Sequence, residues 1–106
     1  MLIEFETEGE VIRARIAESR IDAARVEAFR AAMAPALGSG ARCLRLDMGE
    51  VVFLDSTALG AIVALMKRLG PGRRMELERV GPRLMRIFEL TGMNRVLTIH
   101  GPGARD

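Results

Sequence analysis

Alternation of apolar and polar residues divides the chain into short strand-like runs. Two such runs, at 3–6 and 11–16, are separated by Gly9. A period of two on both sides of a glycine is typical of a β-hairpin or of two adjacent short strands. Alternating or short apolar runs predict three further strands, at 42–48, 75–80 and 96–99.

Apolar residues at three- and four-residue steps predict three helices between these strands. The first spans 22–37, where Asp22 is expected to act as the N-cap. The second spans 56–69, and the third spans 82–91, with a proline at its first position and a glycine after its end. The positions of the second helix that are expected to face the core are Leu59, Ile62, Val63, Met66 and Leu69.

The order of these elements, β-β-α-β-α-β-α-β, predicts an α/β fold. Strand–helix–strand units join parallel strands by right-handed crossovers, so we expect a mixed, mostly parallel sheet of four or five strands. A sheet covered on both faces has continuous apolar strands, whereas apolar residues here alternate with charged ones. The three helices should therefore pack on one face, and the other face should be largely wet and carry acid–base pairs between strands. Neither a linker nor an internal repeat interrupts the chain, so residues 1–106 are expected to form one domain.

Composition and charge narrow the class of protein. Hydrophobic residues make up 49% of the 106 positions, which argues against disorder. The net charge is +2 and the basic residues are interleaved with acids, which argues against a nucleic-acid surface. Acids near the amino terminus exclude a secretory signal, and the longest uncharged apolar stretch, 56–66, is too short for a membrane span. We therefore expect a soluble, cytoplasmic protein that does not insert into membranes.

The junction before the second helix carries the candidate chemistry, in the segment EVVFLDSTALGAI at 50–62. An apolar run ends there in Asp55, Ser56 and Thr57, at the strand edge where open α/β sheets usually keep their functional loops. Ser56 stands where the N-cap should be, and a cap is all that its hydroxyl need provide. Asp55 could cap equally well, which would leave the Ser56 hydroxyl facing solvent. The pattern leaves both interpretations open: a simple cap, or a site that another protein modifies.

Other groups offer no sign of catalysis or metal binding. Cys43 is the only cysteine, so it can form neither an internal disulfide nor a zinc site by itself. His100 is the only histidine and lies near the end of the chain. Ser56 lacks the GxSxG elbow of serine hydrolases, and no base stands beside it in the sequence. We therefore expect no catalytic residue, no metal and no cofactor.

STAS domains, in particular the bacterial anti-sigma factor antagonists, resemble this chain in three segments. Their signature, in which a DS(S/T)(G/A)LG motif opens a helix, is similar to RLDMGEVVFLDSTALGAIVALMKRL. The start of their first helix resembles SRIDAARVEAFRAAM, and their third helix and last strand resemble PRLMRIFELTGMNRVLTI. The resemblance covers about the whole chain and implies the family fold, with helices along one side of a sheet. Many members continue into a further helix where this chain has GPGARD, so three helices are expected, or four if that tail is helical.

The resemblance implies a partner-switching mechanism. In anti-sigma factor antagonists a cognate anti-sigma kinase phosphorylates the serine that matches Ser56. The unmodified form binds that kinase and frees a sigma factor, and a PP2C-type phosphatase restores the unmodified form. By the same resemblance, the residues that bind the partner are Asp22, Asp55, Ser56, Thr57, Leu59 and Gly60.

Two departures and two alternatives accompany the resemblance. Ala58 replaces the commoner glycine, and Arg45 interrupts a strand that is usually more apolar. The first alternative is a STAS subunit that does not switch, either in a bacterial ABC transporter for phospholipid trafficking or in a signalling scaffold. The second is nucleotide binding or hydrolysis, which has been proposed for some members of the family.

Overall fold

The computed structural model describes residues 1–103 and contains seven strands and three α-helices. The strands are β1 (Ile3–Glu8), β2 (Val11–Ile16), β3 (Arg20–Ile21), β4 (Cys43–Asp47), β5 (Phe53–Leu54), β6 (Arg74–Glu78) and β7 (Thr98–Ile99). The helices are α1 (Val26–Gly38), α2 (Ser56–Leu69) and α3 (Pro82–Thr91), and a 3₁₀ turn follows at Met93–Arg95. Residues 101–103 are not helical, and the rest of the tail, at 104–106, lies outside the described residues. No described helix is long and apolar enough to cross a membrane.

Five strands form one mixed sheet in the order β1-β2-β4-β6-β7. β1 and β2 pair antiparallel through a turn at Gly9. The φ of Gly9 is +61°, a conformation that glycine adopts without the steric penalty of a side chain. All the other neighbours in this sheet pair in parallel. The predicted hairpin and the mostly parallel sheet are therefore confirmed.

Two short strands escaped prediction, and they shape the site. β3 and β5 form a separate parallel ladder that pairs Arg20 with Phe53 and Ile21 with Leu54. The backbone oxygen of Ser19 extends this ladder by accepting the amides of Val52, at 2.8 Å, and Phe53, at 3.2 Å. The ladder brings the segment before α1 beside the segment before α2.

The hydrophobic core lies on one face of the five-stranded sheet, where all three helices pack, as predicted. Its strand side includes Ala14, Ile16, Leu46 and Leu77, and its helix side includes Phe29, Met33, Ile62, Leu84 and Phe88. The face of α2 that meets this core is rotated from the predicted one: its buried residues are Ala58, Ala61, Ile62, Leu65 and Leu69. The prediction followed the largest side chains, whereas the two small alanines on the buried face leave room for close packing. Leu59, Val63 and Met66 are only half-buried along the flanks of the helix.

The opposite face of the sheet carries the predicted acid–base pairs between strands. Arg15 pairs with Glu4 at 2.6 Å, and Arg13 pairs with Glu6 at 3.3 Å and with Glu78. The expectation that this face is largely wet is wrong at its centre. Three acids there are buried by the side chains that pair with them, namely Asp47, Glu76 and Glu78.

Glu76 shows how the centre of this face holds a buried acid. Its carboxylate accepts from Arg74 at 2.8 Å and contacts His100 at 3.0 Å. Burial by itself would raise the pKa of Glu76, but these hydrogen bonds and the charges of Arg45 and Arg74 lower it overall. The group therefore stays an anion that its neighbours neutralise.

Candidate functional site

Asp55, not Ser56, caps the second helix. Asp55 has extended backbone geometry, and its Oδ1 accepts the amide of Ala58 at 2.9 Å. Ser56 is the first residue of α2, is exposed, and its hydroxyl makes no hydrogen bond within residues 1–103. Of the two interpretations left open by the sequence, the simple serine cap is therefore excluded.

Asp55 also links the two segments that the short ladder brings together. Its Oδ2 accepts the amide of Ala23, which precedes α1, at 2.8 Å. The amide of Ala58 above all, helped by those of Ala23 and Thr57, holds the pKa of Asp55 below its ordinary value against a smaller effect of desolvation. Asp55 is therefore an anion at neutral pH, and both of its oxygens are held in place.

The predicted N-cap role of Asp22 is wrong. Helix α1 begins at Val26, so Arg25 occupies the cap position and makes no side-chain cap bond. A cap must directly precede the first helical residue, and a turn separates Asp22 from that point. Asp22 instead accepts the amide of Arg25 through its backbone oxygen at 2.9 Å. Its carboxylate pairs with Arg20 at 3.4 Å and with Arg25 at 3.7 Å.

The other predicted site residues lie in the first two turns of α2. Thr57 is exposed at its second position. Gly60 is also exposed, and a Cβ added there would meet no atom within 4 Å. Leu59 is half-buried against the edge of the core. The structure thus brings Asp55 to Gly60 together at one helix tip, and Asp22 adjoins this tip through Ala23.

Two apolar residues of this region escaped prediction. Val52 and Phe53 are 53% and 41% exposed, although the sequence had placed them in an apolar run. The guanidinium carbon of Arg20 lies 4.8 Å from the centroid of the Phe53 ring. Val51 and Leu54, on either side, are buried. Two exposed residues between two buried ones break both the helical and the strand period, so no sequence pattern could have separated them.

The described residues of the candidate site offer no set of metal ligands. Within residues 1–103, no three side chains of the His, Cys, Asp or Glu type are arranged to hold a metal ion.

Comparison with known proteins assigns the family. The model of the STAS domain family matches residues 3–101. The chain therefore belongs to the STAS domain family.

Curated relatives from Bacillus and Listeria, among others, carry the name anti-sigma-B factor antagonist. The protein from Bacillus subtilis strain 168 is 33% identical over 80 residues, which cover 74% of this chain and 72% of that protein. The protein from Listeria monocytogenes is 43% identical over 58 residues, which cover 53% of this chain. That match spans only 50% of the Listeria protein's own length.

A solved structure shares the fold. The Bacillus cell fate determinant SpoIIAA, in its phosphorylated form, superposes with a TM-score of 0.66 and 22% identity. The superposition covers 92% of this chain and 90% of that chain. At this identity the likeness shows the fold alone.

Substitution of Asp55 tests its linking role. We expect Asp55→Ala to unfold at a lower urea concentration than wild type at pH 7, because two amides lose their acceptor. Asp55→Asn keeps one capping oxygen and should fall between them. Since the folded-state pKa of Asp55 is lowered, its contribution is present above the unfolded-state pKa and is lost as the pH falls through the folded-state pKa.

Urea midpoints measured at several pH values from neutral to acid check this. The gap between wild type and Asp55→Asn should close as the solution becomes acid. A gap that stays constant with pH would contradict the assigned role of the carboxylate.

Proposed function

We propose that this chain is an anti-sigma factor antagonist that binds an anti-sigma factor with serine kinase activity, and that phosphorylation of Ser56 ends this binding. Binding of the unmodified chain would release a sigma factor, and a PP2C-type phosphatase would restore that form. The observation that carries the proposal is the cap by Asp55, which leaves the Ser56 hydroxyl exposed and free of hydrogen bonds within residues 1–103. The names of the two curated relatives support the assignment of a partner.

The proposed contact surface surrounds the tip of α2. It consists of Asp22, Asp55, Ser56, Thr57, Leu59 and Gly60. Exposed Thr57 and Gly60 flank the hydroxyl, and the open space at Gly60 lets a partner backbone approach the helix closely.

The proposed chemistry is a phosphoryl transfer that the partner catalyses. The bond between the γ-phosphorus of ATP and the β,γ-bridging oxygen breaks, a bond from that phosphorus to Ser56 Oγ forms, and ADP leaves. The hydroxyl proton passes to the kinase or to solvent. Water then hydrolyses the phosphoserine on the phosphatase. The chain itself acts as a substrate and a binding module, not as an enzyme, and needs no cofactor. Because the donor is ATP, the reaction is proposed to take place in the cytoplasm.

Phosphorylation should change the chain's own fold little. A phosphoryl group adds about −1.5 to −2 charges. The amides and dipole at a helix N-terminus favour such a charge by ~0.3–1 kcal/mol, whereas the neighbouring Asp55 anion opposes it. Two effects of similar size and opposite sign leave the main consequence to the interface with the partner.

Intact-mass measurement after incubation with ATP and each candidate anti-sigma kinase from the source organism tests the proposal. We expect wild type to gain one phosphate, Thr57→Ala to gain one, and Ser56→Ala to gain none. Phosphate on Ser56→Ala would contradict the assigned acceptor. Absence of modification by every kinase encoded with the chain would contradict the switch and favour a role in assembly.

A further inference from the structure

We infer that the partner's contact surface extends beyond the tip of α2 to a groove between the β4–β5 loop and α3, and that this groove receives an apolar side chain from an acidic segment of the anti-sigma factor. The inference rests on the proposed function, since it adds a second contact to the same encounter. We call this surface the loop–α3 groove and define it by Val51, Val52, Gly81, Pro82, Arg83 and Leu84.

The groove is a small apolar cavity at the edge of the sheet that holds the tip of α2. Its volume is about 180 Å³, room for one or two side chains and too little for a folded element. Val52, on its wall, is 53% exposed, and Phe53 beside it is 41% exposed. Neighbouring large apolar side chains that stay in water on a small protein commonly mark a contact surface.

The groove and the proposed switch lie at the two ends of one short segment, 51–56. Val52 and Phe53 precede Ser56 by four and three residues. Phe53 lies in β5 and pairs with β3, and the amide of Val52 donates to the backbone oxygen of Ser19 at 2.8 Å. Arg20 lies over the Phe53 ring, a contact that favours this position of the exposed aromatic before any partner arrives. A protein that covers the Ser56 hydroxyl would therefore also reach Val52 and Phe53.

The charge of Arg83 indicates that the occupant of the groove is acidic. It is the only charged residue that lines the groove, is exposed, and forms no ion pair within residues 1–103. It stands in the first turn of α3, where the helix dipole disfavours a cation, so its position does not help the helix. A carboxylate beside an apolar side chain of the partner complements both features.

The acidic occupant also gives phosphorylation a consistent effect. A dianion on Ser56 would lie on the surface that an acidic segment has to approach. Repulsion between the two would add to the cost of covering the phosphate, and both would oppose binding. Arg83 thus favours binding of the acidic segment, whereas phosphorylation of Ser56 opposes it.

Affinity measurements with two matched pairs of variants test the inference. Val52→Ser is paired with Val96→Ser, because Val96 is equally exposed, at 57%, but lies after the 3₁₀ turn. Arg83→Glu is paired with Arg86→Glu, one turn further along α3 and outside the groove. We expect Val52→Ser and Arg83→Glu each to bind the purified anti-sigma kinase about tenfold more weakly, a clear loss although smaller than that of an interface hot spot, and both controls to match wild type.

Stability separates this role from a structural one. Arg83→Glu places an acid at a helix N-terminus, so its urea midpoint should equal or exceed that of wild type while its affinity falls. If wild type binds the kinase but each groove variant equals its control, the inference is overturned and the proposed function stands. If wild type binds no anti-sigma kinase, both are overturned. If Val52→Ser instead abolishes self-association in sedimentation, the groove joins copies of this chain and the inference is wrong.

Discussion

Ser56→Asp is expected to bind the anti-sigma kinase at least about thirty-fold more weakly than wild type. A new charge that is buried in an interface without a matching cation costs ~2–5 kcal/mol, and 1.4 kcal/mol corresponds to tenfold in affinity. The single charge of an aspartate should weaken binding by an amount at the lower end of this range. The two charges of a phosphoryl group could weaken it by up to several thousand-fold. Titration calorimetry with the purified kinase, in the absence of ATP hydrolysis, measures the difference directly.

The matched control is Ser56→Asn, which has the size of aspartate without its charge. It should bind within a few-fold of Ser56→Ala and of wild type, because Ser56 is exposed and no described residue depends on its hydroxyl. Equal losses for the asparagine and aspartate variants would show that bulk, not charge, blocks the partner. Wild-type affinity for Ser56→Asp would contradict the electrostatic switch altogether. All three variants should keep the urea midpoint of wild type, since the site lies outside the core.

The long periodic elements were predictable from the sequence because their signals are local. The limits of α2 at 56–69 and α3 at 82–91 coincide with those predicted. Gly92 ends α3 in the left-handed region, at φ 76°, a conformation that glycine adopts readily. Repetition of apolar residues over three or four turns marks where a helix runs. It does not fix which residues are buried, since the buried face of α2 is rotated from the predicted one.

The detail of the candidate site was less predictable, because contacts between distant residues decide it. The sequence offered Asp55 and Ser56 as equal candidates for the cap. The short ladder, by placing Ala23 next to Asp55 from 32 positions away, gives that carboxylate a second amide. β3 and β5 have two residues each and show no alternation, so the pattern did not predict them. Asp22 was predicted as the cap of α1 but lies three positions before Arg25, which occupies the cap position. The Asp22 carboxylate pairs with Arg20 and Arg25 instead.

The polar face of the sheet shows the same limit in another form. Alternation predicts that the charged side chains of the strands leave the core, and Arg13 and Glu78 do lie on the face opposite the helices. It does not tell whether those side chains reach water. On this face long arginine side chains lie across shorter acids, so that Glu78 is only 1% exposed although no helix covers it. Whether a charged side chain is buried by its neighbours depends on how adjacent strands align. The pattern of one strand contains no information on that alignment.

Glu78→Gln is expected to lower the free energy of unfolding at pH 7 by about 3 kcal/mol, because removal of one member of a buried ion pair leaves the other charge uncompensated. The Glu78 side chain is 1% exposed and that of its partner Arg13 is 11% exposed. Glutamine keeps the size and one acceptor, and Glu6 still lies 3.3 Å from Arg13, so the loss belongs at the low end of the ~3–5 kcal/mol range for such changes. Urea unfolding, analysed by linear extrapolation, measures it.

Glu4→Gln is the matched control for this prediction, on the same face and with the same change of charge. Glu4 is 57% exposed and pairs with Arg15 at 2.6 Å, and an exposed pair contributes only ~0–1 kcal/mol.

A double variant, Arg13→Met with Glu78→Leu, should recover most of the loss, because apolar residues of similar volume leave no charge unpaired. Equal losses for Glu4→Gln and Glu78→Gln would mean that water reaches the centre of this face, as the simple alternation suggested. The difference between the two glutamine variants therefore measures how far burial, and not pairing alone, sets the strength of the sheet's polar face.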